Sequence, residues 1–346
     1  MVADSFDVVI GVDTHRDAHA FALVRCRDGV VVDEAQLPAN RAGYREALRL
    51  GERFGESRVW ALEGTGSYGA GLARFLAERG ERVLEVERPA GEGSRRRGKS
   101  DALDALRAAR SALFEQPLAE PRAGDRREAL RVLLQAREGA VSVRRAGLNQ
   151  LRALVLTAPE DVRARLRGQS RAALLRSCLR LRPRPGESRQ KYATALALRA
   201  VARRVQQATD EAASLARELE RLVAETAPQL LELPGVGPIS AAQILVSWSH
   251  RGRLRSEAAF ARLAGTSPIP ASSGRVVRHR LDRGGDRRLN RALHAIVLTR
   301  RRTDPATQAY ITRRSTEGKS ERDAVRLLKR YLARSLFRLL EAMPTT

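Results

Sequence analysis

Phe6-Asp7-Val8-Val9-Ile10-Gly11-Val12-Asp13 is an apolar run that ends on a carboxylate. Val59-Trp60-Ala61-Leu62-Glu63 is a second such run, closed by Gly64-Thr65-Gly66. Short apolar runs rich in β-branched and aromatic residues, bounded by glycine, read as buried strands. A further pair of acids, Asp101 and Asp104, stands three apart in a helical stretch, so both face one side of that helix. Hard divalent cations such as Mg²⁺ take oxygen ligands, and two such ions can clamp an in-line phosphoryl displacement. Asp13, Glu63, Asp101 and Asp104 are therefore candidate metal ligands and catalytic residues. Asp at a strand end is also ordinary turn chemistry, and spacing alone leaves that reading open.

Working outward, residues 6–113 read as α/β. Strands are expected at 7–12, 19–25, 29–36, 58–63 and 82–87, the first three joined by short turns such as Asp28-Gly29. Helices are expected at 41–53, 68–79 and 100–113. Three adjacent strands followed by alternating helices and strands suit an RNase H-like sheet, in which strand, strand and helix bring four carboxylates together. The stretch 88–99, rich in Pro, Gly, Ser and Arg, reads as a mobile basic linker that leads to Asp101. It is suited either to holding a nucleic-acid backbone or to solvation alone.

The chain of 346 residues carries a formal net charge of +24, from 64 Lys and Arg (60 of them Arg) against 40 acids. Guanidinium groups fork onto phosphate and base edges, so nucleic acid is the first partner to consider. Two cysteines, Cys26 and Cys178, are too few for a disulfide framework or a zinc site. No apolar run approaches a membrane span, and Met1-Val2-Ala3-Asp4 lacks the basic start of a secretion signal. A cytoplasmic protein that does not engage membranes is expected.

Residues 126–158 and 190–226 read as long helices. In the second, Leu198, Val201, Val205, Ala208, Ala212, Leu215, Leu219 and Leu222 step by three and four, which is a heptad seam. In the first, Leu134, Val141, Leu148 and Val155 recur every seven. A long antiparallel helical coiled-coil hairpin follows, which either packs within the chain only or also dimerises the protein.

From Leu231 the character changes. Leu233-Pro234-Gly235-Val236-Gly237-Pro238 precedes an apolar helix and reads as a helix-hairpin-helix turn, with Gly235 and Gly237 letting the backbone approach a phosphate. A plain corner between helices is the alternative. Residues 274–338 hold 19 Lys and Arg against 6 acids, a net of +13. Aromatics are only 4% of the chain, so a backbone-tracking face fits better than base stacking. Within it, Ala271-Ser272-Ser273-Gly274-Arg275 offers a serine nucleophile for a phosphodiester. Arg275, Arg278, Arg280, Arg283, Arg287 and Arg288 stand ready to steady the phosphate charge. Ser-Ser-Gly is also a common turn.

The chain resembles the DEDD transposases of bacterial insertion sequences, the "one-ten" group, almost end to end. Gly11-Val12-Asp13-Thr14-His15, Leu62-Glu63-Gly64-Thr65-Gly66-Ser67-Tyr68 and Lys99-Ser100-Asp101-Ala102-Leu103-Asp104-Ala105 look like its three acidic motifs. Leu233-Pro234-Gly235-Val236-Gly237-Pro238, Pro268-Ile269-Pro270 and Ser272-Ser273-Gly274 look like its C-terminal domain. The resemblance implies an RNase H/RuvC-like domain at 1–115, whose four acids bind Mg²⁺. Between the two domains, the heptads mark 116–228 as a helical coiled-coil or oligomerisation segment. The remainder, 229–346, would be a mainly helical transposase domain with a helix-hairpin-helix and a catalytic serine, placed at Ser273 with Ser272 as the neighbouring alternative. The resemblance further implies DNA ends and target DNA as substrates, a structured noncoding guide RNA, and a homo-oligomer, dimer or tetramer. RNA pairing that reads sequence would leave the protein mainly backbone contacts.

Three other readings share parts of this pattern. A metal-dependent junction nuclease would use the acids without serine chemistry, and a non-catalytic nucleic-acid binder would use neither. An actin-like sugar kinase also begins with a strand followed by Gly-x-Asp, but this chain lacks the second phosphate loop of such kinases, and a charge of +24 has no role there.

Overall fold

The computed structural model describes residues 5–55, 57–86, 101–114, 118, 120–122, 124–184, 186–271, 279, 280, 282 and 284–343. The basic stretch 88–99 and Ser272, Ser273, Arg275, Arg278 and Arg283 lie outside the described residues. The chain divides into two compact units: residues 1–124 with 252–254, and residues 125–251 with 255–346.

The first unit is built on a mixed sheet of β1 (Val8–Thr14), β2 (Ala18–Arg25), β3 (Val31–Pro38), β4 (Arg58–Glu63) and β5 (Arg82–Val86), in the order β3-β2-β1-β4-β5. The short links give antiparallel β1–β2 and β2–β3 pairs, while β1–β4 and β4–β5 are parallel. Parallel pairing needs crossovers, and α1 (Arg41–Glu52) and α2 (Ala70–Ala77) supply them. All seven residues of β1 are buried because helices cover both faces of the sheet. Val8, Ile10 and Val12 join Phe21, Leu23, Trp60 and Leu62 against Ala47 of α1 and Leu72, Phe75 and Leu76 of α2. Val9, Val59, Ala61 and Leu84 face the other way, onto α3 (Asp101–Phe114) at Ala108, Ala109 and Ala112.

That second face is packed unusually close. A Cβ on Gly11 would overlap the carbonyl oxygen of Ala105 and stand 2.5 Å from the backbone nitrogen of Ala109. A glycine on the strand and an alanine stripe on the helix together let α3 lie directly on β1. This contact carries the first turn of α3 to the end of that strand.

The second unit begins with α4 (Asp125–Leu156) and includes α7 (Arg189–Thr226), the two long helices expected from the heptads. Leu198, Val201, Val205, Ala208, Ala212 and Leu219 are buried within the single chain. Gly147 of α4 lets the helices meet, since a Cβ there would lie 2.5 Å from Val205 Cγ2. The seam is thus closed intramolecularly. Two short helices that the heptads do not mark, α5 (Glu160–Leu166) and α6 (Arg171–Leu179), fold in between. Their Val162, Leu166, Leu174 and Cys178 pack with Leu151, Val155, Leu198 and Val201. Burial pushes the Cys178 thiol up to about 11, as it does that of Cys26, which suits inert structural thiols.

The rest of this unit comprises α8 (Pro228–Glu232), α9 (Pro238–Trp248), α10 (Glu257–Leu263), a short pair β6 (Ile269–Pro270) and β7 (His279–Arg280), α11 (Arg287–Thr303), α12 (Pro305–Thr316) and α13 (Glu321–Ala342). Ser256, Asp286, Asp304 and Ser320 start α10 to α13 by accepting backbone N–H groups of the first turn, as such residues do at helix N-caps. Among the described residues, no helix is long and apolar enough to cross a membrane.

Candidate active site

Register makes Asp13 and Glu63 neighbours. The β1–β4 ladder runs to Val12 opposite Leu62, so the next residue on each strand is an acid. Period two places both on the α3 face, with Gly11 and Ala61. Thr14 Oγ1 donates to the Glu63 carbonyl oxygen at 3.0 Å and ties the two strand ends together beyond the ladder. Both carboxylates are buried. A buried carboxylate is costly unless cations or donors match it, which suits a position beside a metal ion.

Asp101 opens α3 on the stripe that continues through Ala105, Ala108 and Ala112, the residues packed on the sheet. It therefore points where the sheet points. Ligand atoms of Asp13, Asp101 and His15 all lie within 4.8 Å of one another, close enough for a single divalent cation. His15 Nδ1 stands 3.5 Å from Asp13 Oδ2. The two carboxylates suit a hard divalent cation, and the imidazole is a softer donor that favours Mn²⁺ or a later transition metal over Mg²⁺.

His15 is held in place from below. Its backbone N–H donates to Nδ1 of His19 at 3.3 Å. His19 is fully buried and stacks on Tyr44 with ring centroids 5.8 Å apart. Burial lowers its pKa, which keeps the imidazole neutral and its Nδ1 an acceptor.

Glu63 and Asp104 do not join the three-residue cluster. Asp104 sits one position off the packed stripe, and Arg107 Nη1 contacts its Oδ1 at 2.5 Å. An acid in the first turn also favours the helix dipole whatever else it does. The sequence motif assigns His15 no role, although it stands two residues beyond Asp13, where one period-two step returns to the same face.

In the second unit the turn between α8 and α9 has the geometry of two helices meeting at Gly235-Val236-Gly237. Its two glycines differ. Gly235 has φ +74°, and a Cβ there would stand 3.1 Å from the Ile296 carbonyl oxygen of α11. Arg300 Nε, also on α11, donates to the Pro234 carbonyl at 2.7 Å. Packing on α11 thus requires Gly235. Gly237, the N-cap of α9, has open space around it. Of the arginines expected at nucleic acid, Arg280 and Arg287 are exposed. Arg288 pairs with Glu138 of α4 at 3.0 Å, joined there by Arg291 at 2.8 Å.

Residues 10–158 match a DEDD transposase model of the IS110 type, and residues 227–312 match that of the transposase IS116/IS110/IS902 family. The chain is also 30% identical to the insertion element IS900 uncharacterized 42 kDa protein of Mycobacterium paratuberculosis, over 82% of each chain. This chain belongs to the IS110 transposase family. A shorter likeness, 33% identity over 114 residues, links it to the insertion element IS110 uncharacterized 43.6 kDa protein of Streptomyces coelicolor (33% of this chain, 28% of that one). An IS110-family transposase cuts and rejoins DNA, so DNA is its partner and the acids belong to a family that uses divalent metal. The first family match spans Asp13, His15, Glu63, Asp101 and Asp104, and the second spans Gly235, Gly237 and the serine pair.

Proposed function

We propose that this transposase excises and integrates its element through two chemical centres, an acidic metal site and a serine. The observation that carries the reading is the convergence of Asp13, His15 and Asp101 where β1 ends and α3 begins. The strand order, with three antiparallel strands and two parallel ones, supports an RNase H/RuvC-like domain. Asp13, Asp101 and His15 would hold the cation, with Glu63 beside them and Asp104 completing the four-acid set on leaving Arg107. A bound Mg²⁺ would supply Lewis-acid stabilisation of the scissile phosphate. Its identity as Mg²⁺ is part of the proposal.

Ser273, with Ser272 as the neighbouring alternative, attacks phosphorus through Oγ. An Oγ–P bond forms, the P–O bond to the departing strand breaks, and the leaving oxygen takes a proton as the serine loses one. Arg275, Arg278, Arg280, Arg283, Arg287 and Arg288 steady the phosphate charge. A strand hydroxyl then reverses the ester, so phosphodiester energy is conserved without a nucleotide. A structured noncoding RNA would choose the sites by pairing, which the basic, aromatic-poor surface suits. Gly237 would present the α9 N-terminus to a phosphate, as in a helix-hairpin-helix. We place oligomer contacts away from the heptad seam, whose side chains are already buried, and on exposed apolar residues of the long helices such as Val143 and Leu156. The division of labour proposed is acids in 1–115, helical spacing in 116–228 and serine chemistry in 229–346.

Expression of the gene within its native flanking DNA tests this. Wild type yields newly joined element ends and DNA covalently held on the protein. Asp101→Ala and Ser273→Ala yield neither. Joined ends that survive both Ser273→Ala and Ser272→Ala would remove the serine centre, whereas ends cut but not joined, with no DNA held on the protein, would leave plain metal-dependent nuclease chemistry, the second reading.

A further inference from the structure

Among the described residues, Lys329 on α13 is the one Lys or Arg that is buried, 7% exposed. Burying an ammonium costs several kcal/mol unless it is well paired. Lys329 Nζ meets no carboxylate among the described residues. It donates instead to a neutral acceptor, Asn290 Oδ1 of α11, at 2.9 Å. Burial, with Arg326 adding repulsion, lowers its pKa. A methionine would fill such a position at lower cost, so the charge invites a functional explanation.

Asn290 shows where that charge acts. Its Nδ2 donates to the carbonyl oxygens of Ala264 at 2.6 Å and Gly265 at 3.3 Å. There the chain leaves α10. It returns at Gly285-Asp286, and the two ends touch. A Cβ on Gly285 would lie 2.6 Å from Gly265 Cα, and Asp286 N–H donates to the Leu263 carbonyl at 2.6 Å. From the opposite side, Asp286 Oδ2 accepts from the buried Ser247 Oγ at 2.8 Å, which in turn accepts from Gln243 Nε2 at 3.0 Å. The chain therefore departs at Gly265 and comes back at Gly285 through one pinched neck, and the sequence of this excursion includes Ser272 and Ser273.

An ammonium only donates, so it admits only the Asn290 orientation with Oδ1 toward Nζ. That orientation turns Nδ2 onto the two neck carbonyls. The charge also polarises the amide and strengthens its N–H donors.

We infer that Lys329 and Asn290 are positioning residues for the serine excursion, fixing through the neck carbonyls where it leaves the helical core. The inference rests on the serine reading above. It assigns neither residue a contact with DNA.

The experiment uses the full chain expressed within its native flanking DNA. The readouts are element-end DNA covalently bound to the denatured protein, element DNA retained by the native protein, and thermal stability. Lys329→Met is expected to melt no lower than wild type and to retain DNA, yet to form adduct roughly 10- to 100-fold less. Asn290→Asp keeps an acceptor for Lys329 but loses the donors to the neck, and should lose adduct likewise. Lys329→Arg, which restores a buried donor cation, should recover part of it. Wild-type adduct in Lys329→Met, or a loss matched by a fall in melting temperature, would overturn the inference. If wild type itself yields no adduct that Ser272→Ala or Ser273→Ala removes, the serine reading fails first, and that outcome is distinct.

Discussion

The acidic end of the sheet and the neck of the serine excursion are built by opposite means. At the acidic end, each side chain is aimed by its own element. Asp13 and His15 stand at alternate positions of one strand end, and Asp101 opens the helix that Gly11 admits onto that strand. At the neck, residues from α9, α10, α11 and α13 meet through side chains, with Ser247 reaching Asp286, Asn290 reaching Ala264, and Lys329 reaching Asn290. A charged metal site tolerates only small displacements of its ligands, and rigid secondary structure supplies that. At the neck the two ends of the segment are held, which suits the serine chemistry proposed for it.

The largest effect should come from the acidic end. Asp101→Asn removes a charge with little change in volume, so strand cleavage should fall by about a thousandfold, the rate equivalent of roughly 4 kcal/mol of lost transition-state stabilisation. DNA binding should stay near wild type, and cleavage that persists would sink the metal assignment. His15→Gln should fall less. In Mn²⁺-loaded protein it should abolish the nitrogen coupling seen by pulsed electron paramagnetic resonance. Wild-type protein that binds Mn²⁺ without any nitrogen coupling would remove His15 from the ligand set and leave the acids in place.

Next comes the packing that aims this site. Gly11→Val drives a branched side chain into the Ala105 carbonyl and Ala109. A loss of about 3 kcal/mol in denaturant unfolding is expected, at the top of the usual range for overpacking. A near-normal unfolding midpoint would mean that α3 can lift from β1.

The smallest effects separate the two glycines of the α8–α9 turn. Gly235→Ala, with φ +74° and α11 close by, should cost about 1–2 kcal/mol. Gly237→Ala has room and ordinary backbone angles, so its stability should stay within about 0.5 kcal/mol. Any weakening by Gly237→Ala should appear in DNA retention. Equal destabilisation by both changes would contradict the packing role given to Gly235.

Much of the first unit was legible because its signals are local. The five expected strands and three helices sit within a few residues of those observed. The heptad seam in 190–226 is likewise a property of one helix, and its burial followed. What the seam packs against was not legible, since a heptad is equally satisfied by a neighbouring helix or by a second copy. The helices α5 and α6 escaped because they are too short for their periodicity to stand out.

The sequence by itself determined the acids at strand ends, the heptad seam and the motifs of the family, because each is carried by residues close together in the chain. Only the tertiary structure decided that His15 joins Asp13 and Asp101, that Asp104 turns aside to Arg107, and that α11 is the reason for Gly235. It alone also brought Lys329 to Asn290. These outcomes depend on which elements pack together and how closely, and contacts between distant segments leave no period in the chain.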